Sequence, residues 1–292
     1  MSEHRPALEH IQAYADHLRL EEKSAATVEK YLRDVRAFAR WLEGREITKE
    51  RTAAWKTHLV ERGYAPASVN AMLSALNSLL DFLGFGECRV KFLKVQRRMF
   101  RDDSRDLTRS DYNALTAAAK AQNKTRLALL MEAICATGIR VSEVQYITVE
   151  AARAGRAEVA LKGKIRTILI PSKLCRKLLK YAKQQKTASG EIFLTRNGTP
   201  LSRRQIWAEM KGLCKTAGVA ASKVFPHNLR HLFAAAFYRA SRDIVKLADV
   251  LGHSSLETTR IYLLTSGAEH QRQLDRLGPV SYTHLRAHET PE

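Results

Sequence analysis

The sequence predicts a mainly α-helical protein of two domains, the second carrying one small antiparallel β insertion. Three observations carry this reading. Apolar residues recur at three- and four-residue steps through most of the chain, the signature of amphipathic helices. One stretch near residues 157–170 is rich in β-branched residues and poor in helix formers. A charged, aperiodic segment near residue 100 separates two helical halves. With 292 residues, 45% of them hydrophobic and 27% charged, the chain is long enough for one or two domains with cores of their own.

The first domain, residues 1–95, reads as four or five helices. "ALEHIQAYADHL" opens it. In "SAATVEKYLRDVRAFARWL", residues Val28, Tyr31, Leu32, Val35, Phe38, Ala39 and Leu42 share one face, with Ser24 or Thr27 as the cap. "TKERTAAWKTHLVERG" follows. "APASVNAMLSALNSLLDFLG" places Val69, Met72, Leu73, Leu76, Leu79, Leu80 and Leu83 on one face and stops at Gly84. The exposed faces carry many Lys and Arg residues.

"KFLKVQRRMFRDDSRDL", residues 91–107, is charged and aperiodic, so its second half, 96–107, reads as a linker. Thr108 followed by Asp111 resembles a capping box and starts the second domain, 108–278. Within it, strands at about 157–162 and 165–170 flank a tight turn at Gly163-Lys164. Helices resume at "KLCRKLLKYAKQQ" and at "TPLSRRQIWAEMKGLCKTAG", the latter capped by Ser202. Residues 279–292 lack apolar periodicity and are expected to be a disordered tail or a segment foreign to the natural protein.

Charge narrows the function. Lys and Arg number 49 against 30 acids, a formal net charge of +19. That excess points to a polyanion partner bound through phosphate contacts. No stretch approaches the roughly 20 apolar residues of a membrane span, and the polar N-terminus "MSEHRPALEH" has no apolar core of a secretory signal. Cys88, Cys135, Cys175 and Cys214 lie too far apart for metal-ligand spacing and read as free thiols of a reducing cytoplasm.

Four separated stretches hold the chemistry. "ATGIRVSEV" presents Arg140 just after a helix-ending glycine, "LKGKIRTILIP" presents Lys162 beside the hairpin turn, "FPHNLRHLFAAAFYRA" presents His227, Arg230 and His231, and "LGHSSLETTRIYLL" presents His253 and Tyr262. On a helix, positions 227, 230 and 231 share a face. Leu229, Leu232, Phe233, Ala236 and Phe237 lie roughly opposite, so the stripe is expected to bury while the polar trio projects into a cleft. Attack on a phosphodiester builds negative charge on the non-bridging oxygens, which the planar guanidinium fork suits. A leaving 5′-oxygen needs a proton, which a lysine can supply. A tyrosine nucleophile, with an ordinary pKa near ~10, must lose its proton as it attacks.

With these residues in view, the chain resembles the tyrosine recombinase, or phage integrase, family. The resemblance covers about residues 5–278 and rests on "TGIRVSE", "LKGKIR", "HNLRH", "LGH" and "TTRIY" standing in the family's order, with His253 and Tyr262 nine residues apart. It implies a helical, SAM-like core-binding domain followed by a helical catalytic domain. It implies that Arg140 and Arg230 clamp the scissile phosphate, that Lys162 (with Lys164 as the alternative) is the general acid, and that His227 is the acid/base partner of the tyrosine. His253 becomes a third phosphate or transition-state contact, Tyr262 the nucleophile, and Glu143 and His231 supporting residues. Tyr282 is the other C-terminal tyrosine, and Tyr238 on the His227 helix reads as structural.

The function this implies is site-specific cutting and rejoining of double-stranded DNA through a 3′-phosphotyrosyl bond and a Holliday junction, for integration or excision of a mobile element or for resolution of multimers. No cofactor or metal is expected. Four protomers would assemble on paired sites in a bacterial cytoplasm, with a second recombinase or a DNA-bending factor as further partners and no membrane. The two domains would close around DNA, the linker would cross it, and "TSGAEHQRQLDRLG" after Tyr262 would dock on a neighbouring protomer. The length suggests an Xer-like or mobile-element layout without an extra N-terminal module. Two rival readings are a type IB topoisomerase-like enzyme and a non-catalytic DNA-binding protein retaining the fold.

Overall fold

The computed structural model describes residues 8–95, 103–161, 164–262 and 275–276. The chain divides into two compact units, Met1–Arg97 and Arg98–Glu292.

The first unit is built from α1 (Leu8–Leu20), α2 (Ala25–Leu42), α3 (Lys49–Glu61) and α4 (Pro66–Phe82). Ser24 caps α2 by accepting from the Thr27 amide, and Thr48 caps α3 in the same way. The apolar stripes become its core: Val28, Val35, Phe38 and Leu42 of α2 bury against Leu73, Leu76, Leu79 and Leu80 of α4. Asp34, also buried, breaks the apolar pattern and is satisfied by Lys30 at 2.7 Å. The chain after α4 is tied back to it. The side-chain amide of Asn77 donates to the carbonyl of Val90 and accepts from its amide, both at 2.9 Å. Asn70 does the same with Leu93. The first part of the 91–107 stretch is therefore pinned to a helix, while 96–102 lie outside the described residues.

The second unit begins with α5 (Arg109–Ala121) and α6 (Thr125–Thr137). The Thr108–Asp111 capping box is present at the start of α5. The central helix is α6, buried along Leu127–Ile134 and packed by α5 and later helices. A 3₁₀ turn, Val141–Tyr146, leads to α7 (Val149–Ala154) and the hairpin β1 (Arg156–Leu161) and β2 (Lys164–Leu169). The strands pair antiparallel from Arg156↔Leu169 to Leu161↔Lys164. This corrects the expected register by one residue: Lys164 is a strand residue rather than half of the turn. The period-2 pattern fixes the faces, with Ala157, Val159 and Ile168 buried and Ile165 and Leu169 exposed.

The unit continues with α8 (Ser172–Gln184), α9 (Arg203–Lys211), the short α10 (Cys214–Ala217), α11 (Pro226–Ser241), α12 (Ile244–Leu251) and α13 (Leu256–Arg260). Ser202 caps α9 with Gln205 reciprocating, and Pro226 occupies the first turn of α11. The four cysteines form no disulfide. No described helix is long and apolar enough to cross a membrane.

Candidate active site

The site grows from the end of α6. Gly138 takes left-handed backbone there, φ 66°, and a Cβ at this position would lie 2.4 Å from the Phe233 ring. Only glycine lets the chain turn so close to α11. The turn delivers Arg140 to the head of the 3₁₀ segment. There its amide donates to Glu143 Oε2 at 2.7 Å and its Nη1 to Glu143 Oε1 at 2.8 Å. The Arg140 side chain remains 41% exposed, whereas Glu143 is buried. Burial alone would raise the Glu143 pKa. The Arg140 amide and the guanidiniums of Arg166 and Arg140 outweigh it, so the carboxyl is held below its ordinary range and is ionised at neutral pH.

Arg230, on α11, is 1% exposed. It does not project into an open cleft, as its helix face alone suggests. Its Nη1 donates to the Gly138 carbonyl, its Nη2 to the Leu251 carbonyl at 2.8 Å, and its Nε to the Tyr262 hydroxyl at 3.3 Å. Nη2 also lies 2.9 Å from His253 Nε2. Burial lowers its pKa and the Tyr262 contact opposes that shift, yet an arginine stays charged at neutral pH. The apolar stripe of α11 also differs in detail. Leu229 and Ala234 are buried, Phe233 and Phe237 half-buried, and Ala236 exposed.

His253 follows α12, after Gly252. An arginine can only donate, so Nε2 of His253 accepts from Arg230 and the ring proton sits on Nδ1, donating to Thr259 Oγ1 at 2.9 Å. Burial, reinforced by the charges of Arg230, Arg140 and Arg166, pushes the His253 pKa down to about 4. The ring is therefore neutral at pH 7.

Tyr262, just beyond α13, is 7% exposed. Three imidazoles surround its ring: His231 at 4.2 Å between centroids, His253 at 5.7 Å and nearly parallel, and His227 at 5.9 Å. His231 is thus nearer the phenol ring than His227, whose exposed ring stands 4.8 Å from that of His231. Tyr238 packs in the small apolar cluster of Ala234, Leu247 and Leu251.

The structure therefore brings Arg140, Glu143, His227, Arg230, His231, His253 and Tyr262 together. Lys162 and Tyr282 lie outside the described residues, and Lys164 is placed only as the first residue of β2. Sequence reasoning missed two residues. Arg166 reaches Glu143 and Leu251 from β2. Thr259, fully buried, orients His253. The signal for Arg166 was present: it is a charge at a strand position whose period-2 neighbour, Ile168, points inward. Arg140 and Arg166 share the Glu143 carboxylate while Arg230 has no carboxylate partner among the described residues, which leaves the site cationic and suited to an anion that spreads charge over several oxygens.

The model of the phage integrase family matches residues 105–268, more than half of the chain and all of the site just described. The chain belongs to the phage integrase family. The N-terminal SAM-like domain of phage integrases matches residues 11–84, within the first unit. Tyrosine recombinase XerA of Thermococcus kodakarensis is 29% identical over 94% of this chain and 95% of its own. Tyrosine recombinase XerD of Xanthomonas campestris is 30% identical over 88% of this chain and 87% of its own. Among solved structures, a lambda integrase tetramer bound to a Holliday junction shares the fold, with a TM-score of 0.71 at 21% identity, over 89% of this chain and 78% of that one. This family member is a tyrosine recombinase, an enzyme of site-specific DNA recombination. The topoisomerase and non-catalytic readings are not favoured.

Proposed function

We propose that Tyr262 is the nucleophile of the strand exchange. Its phenol oxygen attacks the scissile phosphorus, the bond to the 5′-oxygen breaks, and a 3′-phosphotyrosyl bond forms. Lys162, with Lys164 as the alternative, gives the leaving 5′-oxygen its proton. His227 takes the phenolic proton. Arg140 and Arg230 hold the non-bridging oxygens and His253 makes a third contact with the phosphate. Glu143 orients the cationic groups and His231 packs on the nucleophile. The 5′-hydroxyl of a partner strand then attacks the phosphotyrosine, and Tyr262 recovers its proton. One phosphodiester is exchanged for another, so the cycle needs no external energy source.

The observation that carries this reading is the placement of the Tyr262 hydroxyl 3.3 Å from the buried guanidinium of Arg230, with His253 on the same guanidinium. A reacting phosphate at that position meets the nucleophile and its charge stabiliser together.

The substrate in this reading is double-stranded DNA carrying recombination sites, in keeping with the net charge of +19. Four protomers act on paired sites through a Holliday junction, in the cytoplasm. Residues 1–95 bind the core of the site, 96–107 link, and 108–278 carry catalysis. The role is integration and excision of a mobile element or resolution of DNA multimers, with a partner recombinase or a DNA-bending factor where the site requires one. A supercoiled plasmid carrying two copies of the site tests the reaction type. Deletion or inversion products support recombination. Relaxed plasmid without exchanged strands identifies a topoisomerase, and a mobility shift with no strand chemistry identifies a binding protein.

A further inference from the structure

Arg166 has no part in the roles above, yet it joins the groups that do. Its side chain, on the inward face of β2, is 15% exposed. Nη2 donates to Glu143 Oε2, while Arg140 holds Oε1 of the same carboxylate at 2.8 Å. Nη1 donates to the Leu251 carbonyl, which also accepts from Arg230 at 2.8 Å. A continuous chain of contacts thus runs from Arg140 through Glu143, Arg166 and the Leu251 carbonyl to Arg230 and Tyr262. Arg166 is its middle link.

The loop carrying His253 closes directly over this side chain. Gly252 has φ 63°, and a Cβ there would lie 2.4 Å from Arg166 Cδ. Stability alone is a poor reason for the arrangement. Buried ion pairs roughly break even against apolar packing, and the Nε of Arg166 is buried with no hydrogen-bond partner among the described residues, which is a cost. What a fork uniquely provides is two directions at once. A lysine reaches the carboxylate or the carbonyl, but does not hold both in one plane.

We infer that Arg166 is a positioning residue that sets the Arg140 and Arg230 guanidiniums in their mutual geometry for the scissile phosphate. The inference rests on the proposed reading of Arg140 and Arg230 as the phosphate clamp. It adds that the clamp is held as a unit through a strand residue that touches no substrate.

The test compares single-turnover cleavage of the site DNA with a phosphodiester or a methylphosphonate at the scissile position. The methylphosphonate lacks the charge the clamp stabilises. The full-length chain is used as wild type, Arg166→Lys, Arg166→Met and Arg230→Ala, with thermal unfolding recorded for each. Misplaced guanidiniums predict a loss of at least ~10-fold for both Arg166 variants on the phosphodiester, shrinking to within about 3-fold on the methylphosphonate. An equal loss on both substrates, or no loss on either, overturns the inference. If Arg166→Met does not fold, Arg166→Lys decides alone. Arg230→Ala separates the two failures. If its own defect does not shrink on the methylphosphonate, the clamp reading fails; if it shrinks and that of Arg166 does not, only the positioning role fails.

Discussion

The Tyr262 hydroxyl lies 3.3 Å from Arg230 Nε, and His253 occupies the neighbouring Nη2 at 2.9 Å. The guanidinium fork of Arg230, the proposed phosphate grip, is capped by the Tyr262 phenol and a neutral imidazole. On the proposed reading, a phosphate bound at Nε would displace the phenol and leave the attacking oxygen beside the phosphorus.

Arg140 and Arg230, the proposed clamp, are expected to separate on mutation. Arg230→Ala strips the Gly138 and Leu251 carbonyls of a buried donor and should cost about 2–4 kcal/mol of stability as well as cleavage. Arg140→Ala removes a half-exposed side chain but also one partner of the buried Glu143 carboxylate, which Arg166 still holds, and should cost about 1–2 kcal/mol while still abolishing most cleavage. Denaturant unfolding alongside adduct formation checks both. Equal stability losses would contradict the burial difference.

His253 gives the pH dependence its sign. Its folded pKa, pushed down to about 4, lies below the ordinary histidine value of 6.5. The unfolded chain therefore takes up a proton first as pH falls. The stability this group contributes is present above about pH 6.5 and is lost as pH falls toward 4. Melting temperature measured across that window should fall in the wild type, with a smaller fall in His253→Gln. A His253 ring resonance titrating near its ordinary value would contradict the neutral, Nδ1-protonated ring.

Gly138→Ala should destabilise by about 1–3 kcal/mol, since it combines left-handed backbone with a Cβ driven into the Phe233 ring. Because the same residue aims Arg140 and bonds Arg230, cleavage at a temperature well below the melting point should drop by at least ~10-fold. Unchanged cleavage would mean that the turn does not set the arginines.

Much of this was legible in the sequence because it is local. The faces of α2 and α4, the Thr108 and Ser202 caps and the glycine turn before Arg140 follow from three- and four-residue spacing and from backbone demands. The hairpin is legible as well, but its strands begin and end one residue earlier than composition suggests, because which strand side chains face inward depends on the core they meet. The gathering of Arg140, Glu143, Arg230, His253 and Tyr262 followed from motif order. What the motifs did not carry was tertiary. The burial of Arg230 depends on carbonyls at Gly138 and Leu251, and the reach of Arg166 depends on residues 23 and 85 positions away. That Tyr262 lies nearer to His231 than to His227, 4.2 against 5.9 Å between ring centroids, is likewise set by tertiary packing and not by spacing along α11.

The most direct measurement is covalent trapping on nicked DNA containing the chain's recombination site, with wild type and Tyr262→Phe side by side and the adducted peptide mapped by mass. A denaturant-stable adduct in the wild type only, on the peptide containing Tyr262, is the predicted result. An adduct that persists in Tyr262→Phe, or one that maps to Tyr282, would contradict the assignment of the nucleophile.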